Sequence, residues 1–172
     1  MTPRFRPARY HAGVMDSHHD RVPELHLEFY SRPGCLAAIR SMIDTLCARL
    51  GYDPGAASQI CLAIDEALCN VIRHGYDSRP DGRIRLSIHE LDQPDRLEFV
   101  IEDDARQVDL DTIRSRELDD VRPGGLGVHL INEIMDDVIY EHREGGGMRL
   151  RMHKTLPSTG TPVDAGEAEP CK

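Results

Sequence analysis

Two helical periodicities stand back to back in this sequence, with strand-like alternation on either side. Leu36, Ile39, Ile43, Leu46 and Leu50 recur at three- or four-residue steps from Cys35 to Leu50, and Gly51 ends that run. Asp53 and Pro54 open a second helix, as N-cap and first helical residue, which runs to about His74 and stops at Gly75. Ahead of the pair, Glu24–Tyr30 alternates Leu25, Leu27 and Phe29 with polar residues, the period of a half-buried strand. Behind it come strands over Arg83–Leu91 and Arg96–Glu102, with Gln93-Pro94-Asp95 suited to a hairpin. A polar stretch follows, with at most one helical turn around Leu110–Leu118. A helix is expected over Val128–Met135, then strands over Asp137–His142 and Met148–Lys154 joined by Gly145-Gly146-Gly147. The order β-α-α-β-β-loop-α-β-β breaks strict βαβ alternation. It predicts an α/β two-layer sandwich, a mixed and mostly antiparallel sheet with helices on one face.

These elements place one folded domain over residues 23–155 of 172. Residues 1–22, without periodicity, read as a flexible arm; residues 156–172, rich in Pro, Gly and small polar residues, read as a disordered tail. The 30 acidic residues outnumber the 21 basic ones, giving a net charge of −9. That charge repels a phosphate backbone, so sequence-independent nucleic-acid binding is not expected. No uninterrupted apolar run approaches the roughly 20 residues that span a bilayer, and MTPRFRPARYHAG lacks an apolar signal core. Cys35, Cys47, Cys61, Cys69 and Cys171 form no C-x-x-C pair; four lie in apolar stretches and read as small buried hydrophobes in a reducing cytoplasm. His18, His19 and Asp20 lie in the arm, where no ordered scaffold would hold a metal.

Three constellations have chemical potential. On the second helix Ile60, Ile64, Leu68 and Val71 share one side, and Glu66 and Asn70 lie together nearly opposite. A carboxylate can take a proton and a carboxamide oxygen can bind a hard cation, although a solvated helix face has the same pattern. Gly124, Gly125 and Gly127 precede a helix, a loop that can present backbone N–H groups to phosphate or be a plain connection. The strand Arg96–Glu102 runs into Asp103-Asp104, where an acid can bind a ligand donor or cap the strand.

Their order and spacing, carried by AIDEALCNVIRHGY, FVIEDDARQVD and PGGLGVHLINEIMDDVIYEHREGGGMRL, resembles the GHKL (Bergerat-fold) ATPases. Within them the small anti-sigma-factor serine/threonine kinases are the most similar, over about residues 24–154. No His precedes the domain in a helical pattern, so the phosphoacceptor region of a sensor kinase is not expected.

The resemblance implies that Glu66 is the general base for a protein hydroxyl and that Asn70 coordinates Mg²⁺. It implies that Asp103 accepts the adenine amino group of ATP, with Ala105 beside it. Gly124, Gly125, Leu126 and Gly127 would wrap the triphosphate, and residues 104–122 would form the lid. Arg106, Arg114, Arg116 and Arg122 are candidates for a γ-phosphate contact; Arg73 and His74 suit either the helix dipole or a role beside Glu66 or phosphate. The implied activity is Mg-ATP-dependent phosphorylation of a STAS-domain antagonist, with sequestration of a sigma factor or another regulator. The alternative is a non-catalytic module that only sequesters its partner. Homodimerisation is common among such kinases, and a cytoplasmic location without membrane partners fits them. The chain departs from the family pattern D-x-G-x-G, because Ala105 and Gln107 replace both glycines. If the first glycine needs a positive φ, Ala105 costs about 1 kcal/mol there.

Overall fold

The computed structural model describes residues 9–11, 22–92, 95–110, 113 and 126–157. Strands β1 (Arg9–His11), β2 (Leu25–Tyr30), β3 (Arg83–Asp92), β4 (Asp95–Asp103), β5 (Asp137–His142) and β6 (Met148–Thr155) form one sheet in the order β1-β5-β6-β4-β3-β2. All neighbours are antiparallel except β1 and β5, which pair in parallel. Helices α1 (Leu36–Arg49), α2 (Pro54–Asn70) and α3 (Leu126–Ile134) complete the two layers. The expected fold class is therefore the observed one. Element β1 is the exception to the sequence pattern. It lies in the stretch read as a flexible arm, and three residues are too few to show a period.

Register explains the core. Leu27, Leu86, Ile101 and Leu150 lie in one row across β2, β3, β4 and β6, and Phe29, Ile84 and Asp103 lie in the next. Side chains alternate across a strand, so these rows share the helix side of the sheet. Ile60, Ile64 and Leu68 of α2 are buried in the same cluster as Phe99, Leu86 and Ile101. Helix α2 starts where its cap predicts: Asp53 Oδ1 accepts from Gly55 N at 2.9 Å and Ala56 N at 3.0 Å. Pro54–Gly75 is the one described helical stretch long and apolar enough to cross a membrane by length and composition. Here its apolar face lines the core between the sheet and the other helices.

The α-helix ends earlier than expected. A π turn over Val71–Gly75 follows Asn70, closed by Tyr76 N donating to Val71 O at 3.0 Å. This wider turn carries His74 and Gly75 to the end of the sheet where β4 finishes. The opposite face of the sheet holds a buried charged row, in which His153 Nε2 and Glu98 Oε1 lie 2.9 Å apart and Arg151 pairs with Glu98 and Glu141.

Candidate functional site

Glu66 and Asn70 are half-buried rather than solvated. The cause is α3, whose second residue, Gly127, lies directly on them. A methyl group at Gly127 would stand 2.7 Å from Glu66 Oε2 and 3.5 Å from Asn70 Nδ2. A side chain at position 127 would have to push the Glu66 carboxylate aside. With α3 packed against it, this pair is not a plain solvated helix face.

Beside that contact a cleft encloses about 820 Å³ of space, part of it open to solvent. Ile101, Tyr140, Met148 and Leu150 give it an apolar floor, and Asn70, His74, Asp103 and Arg106 supply its polar groups. An apolar hollow with a few convergent polar groups is the usual form of a small-molecule site.

Asp103 is 4% exposed at the end of β4. Its Oδ1 accepts from Ala105 N at 2.9 Å and from Met148 N at 3.3 Å. Among the described residues no donor reaches Oδ2, so one carboxylate oxygen remains for a ligand. Burial pushes the Asp103 carboxyl above the usual range, against the two backbone N–H groups and Arg143, which lower it. The neighbouring Asp104 moves the other way, held below the usual range first by its hydrogen bond from Arg85 and then by Arg143. The peptide between the two acids is fixed as well. Tyr76 Oη accepts from Asp104 N at 2.8 Å, and Arg143 Nη1 donates to Asp103 O at 2.7 Å.

The structure thus brings Glu66, Asn70, Asp103 and Gly127 to one end of the fold, with Ala105 beside Gly75. Gly124 and Gly125 lie outside the described residues, as do Arg114, Arg116, Arg122, His18, His19, Asp20 and Cys171; Leu126 opens α3. Among the four lid arginines, Arg106 is the one described, and it lines the cleft. No cluster of His, Cys, Asp or Glu among the described residues could hold a metal unaided. A cation here would draw most of its oxygens from a ligand, as Mg²⁺ does where it is held largely through substrate phosphates.

A family model described as "Histidine kinase-like ATPase domain" matches residues 29–154. The chain belongs to the histidine kinase-like ATPase family. It is similar to several proteins named serine-protein kinase RsbW. That of Halalkalibacterium halodurans is 34% identical over 129 residues, covering 70% of this chain and 76% of that one. That of Listeria innocua is 29% identical over 140 residues, covering 76% and 85%. That of Bacillus subtilis is 24% identical over 129 residues, covering 70% and 79%. A crystal structure of the RsbU and RsbW domains of a Mycobacterium tuberculosis protein shares the fold, with a TM-score of 0.53 at 15% identity over 78% of this chain. The present chain spans 33% of that longer one.

Against the pattern of the histidine kinase-like ATPases, the departure at Ala105 proves free of backbone strain. Among the described non-glycine residues only Asp77 and Ser78 have positive φ, 50° and 61°. Space is made for the Ala105 methyl by Gly75, where an added Cβ would stand 3.2 Å from Ala105 Cβ. Sequence reasoning did not single out Tyr76, Arg143 or Met148 as part of the site. The alternation of β6, which turns Met148 and Leu150 inward beside Asp103, was the available signal for Met148. The roles of Tyr76 and Arg143 depend on contacts 28 and 40 residues distant in sequence.

Proposed function

We propose that this chain is an ATP-dependent protein serine/threonine kinase that also restrains a protein partner. The supporting observation is the approach of Gly127 to Glu66 and Asn70, beside a cleft lined by Asn70 and the buried Asp103. The residues present fit a nucleotide. The free Asp103 oxygen would accept from an amino group on the base, and Ala105 would lie beside it. The apolar floor would hold the ring. Gly124, Gly125, Leu126 and Gly127 would contact the phosphates at the start of α3. Asn70 Oδ1 would hold Mg²⁺ through its carbonyl oxygen. Bound Mg-ATP would supply the phosphoryl group and the cation that screens its charge.

Glu66 then has a defined task. Its Oε2 faces Gly127 and stands ready to take the proton of an incoming serine or threonine hydroxyl. Alignment of that hydroxyl and exclusion of water do the rest in a reaction governed mainly by positioning. The substrate we assign is a STAS-domain antagonist, and the restrained partner is a sigma factor or an equivalent regulator. A phosphate on the antagonist would break its interface through charge and desolvation. Homodimerisation and a cytoplasmic location belong to the same reading, which needs no nucleic acid and no membrane. The names of the similar proteins support the kinase activity. The alternative, a sequestering module without catalysis, had its main support in the missing glycines, and the unstrained Ala105 weakens it.

Calorimetric titration with ATP, with and without Mg²⁺, is the first test. Micromolar Mg²⁺-dependent binding, lost in Asn70→Ala, is expected. Phosphotransfer to a STAS-domain serine should fall at least about a hundredfold in Glu66→Ala, the scale of a general base, while ATP and partner binding persist. Undiminished transfer in that variant would remove Glu66 from the chemistry. Absent ATP binding up to millimolar concentration would favour the sequestering module.

A further inference from the structure

The segment after Asp103 has lost both glycines of the family pattern, and hydrogen bonds tie it down. Its ties lead to the turn between β5 and β6. Arg143 Nη1 donates to Asp103 O and to Asp104 Oδ1, each at 2.7 Å. The carbonyl of Arg143 accepts from Gln107 Nε2 at 2.9 Å. Next to it, His142 Nε2 lies 2.8 Å from Val108 O. Arg143 Nε also forms an ion pair with Glu102 at 3.4 Å.

These contacts act on the carboxylate that faces the cleft. The peptide unit between Asp103 and Asp104 is held at both ends, its N–H by Tyr76 Oη and its C=O by Arg143 Nη1. The next N–H, on Ala105, donates to Asp103 Oδ1. Holding the first peptide anchors the backbone on both sides of it, and the next N–H holds the carboxylate itself. Gly147 closes the arrangement from below. It has φ +82°, and a Cβ there would stand 2.0 Å from Asp103 O, in the space that lets the turn approach the strand end.

We infer that Arg143 is a positioning residue for base recognition, clamping the end of β4 so that Asp103 presents its free oxygen to an amino group on a purine. The side chain at 143 and the Gln107 amide supply through hydrogen bonds the local order that this sequence no longer draws from a glycine turn. The inference rests on the nucleotide-binding reading above and adds to it a residue that touches no nucleotide.

Both side-chain hydrogen bonds come from one nitrogen, so a single ammonium can replace them. Arg143→Lys should therefore rescue what Arg143→Ala loses. The experiment measures affinities of the full chain for Mg-ATP and Mg-GTP by calorimetry, with thermal stability recorded for each variant. GTP lacks the amino group at the position read by Asp103. Arg143→Ala is expected to weaken ATP about tenfold and GTP little, so that discrimination collapses; Arg143→Lys restores most of it. Unchanged ATP affinity and discrimination in Arg143→Ala would overturn the inference while leaving the nucleotide site standing. An equal loss of both nucleotides, tracking stability and shared by Arg143→Lys, would overturn it in favour of a purely structural role. A wild-type chain that binds neither nucleotide would fail the underlying reading itself.

Discussion

Asp103 carries opposing demands. Burial raises its pKa, so the folded chain holds the charged form at a cost, while a free, charged oxygen is what an amino group would seek. Replacing it separates the two. In Asp103→Asn the new Oδ1 can still accept from Ala105 N and Met148 N, and the buried charge is gone. Stability at neutral pH should hold or rise, as judged by the urea midpoint. The amide nitrogen would now point a donor at a donor, and ATP affinity should fall at least about tenfold, or 1.4 kcal/mol. Calorimetric affinity within about twofold of wild type would take Asp103 out of base recognition. A residue that lowers stability and supports binding is the pattern expected of a functional site.

Helix α2 meets different requirements at its two ends. At its start the Asp53 cap satisfies N–H groups that the helix cannot pair internally. Asp53→Ala should cost about 1 kcal/mol in urea unfolding and leave nucleotide affinity unchanged, because the site lies at the far end. A loss of affinity at equal occupancy of the folded state would link the cap to the site. Toward its end α2 meets α3 at Gly127, which lies against the Glu66 carboxylate. Gly127→Ala should displace Glu66, whose Oε2 would be 2.7 Å from the new methyl carbon. Phosphotransfer should drop at least about tenfold, more than for Asp53→Ala, even though both changes are small. Equal rates in the two variants would show that the α2–α3 approach has no part in positioning Glu66.

Acid sensitivity belongs to the whole molecule. Asp104 is held low by Arg85 and Arg143. Glu102 is pushed up by burial but more strongly down by the Arg149 hydrogen bond and by the charges of Arg149, Arg143 and Arg85. Glu98 and Asp136 show the same balance, with burial outweighed by His153 in one and by Thr155 and Lys154 in the other. A depressed folded pKa contributes stability that is present above the unfolded value, about 4, and is lost as pH falls through the folded value. Asp103 has the opposite sign, with a contribution that fades as pH rises from its unfolded to its folded pKa. Four groups against one predict a net loss of stability below pH about 4, readable as a falling urea midpoint. A midpoint constant down to pH about 3 would contradict the balance.

Periodicity and punctuation are local properties, and they were enough for β2 to β6, for the starts of α1 and α2, and for the two-layer order of the fold; α3 begins at Leu126, two residues before the expected Val128. Alternation put Leu25, Leu27 and Phe29 on one face of a half-buried strand, and all three pack against the core, because side chains on a strand must alternate. The π turn after Asn70 was not legible, since it depends on where the end of α2 meets β4. Nor was β1, whose partner β5 lies some 130 residues further along the chain. The sequence could pair Glu66 with Asn70, one helical turn apart, but it could not tell a solvated face from one covered by Gly127. Tertiary structure decided that, along with the second role of the β5–β6 turn as a clamp on Asp103. Periodicity reports which face a side chain occupies; only the closed chain determines what lies opposite it.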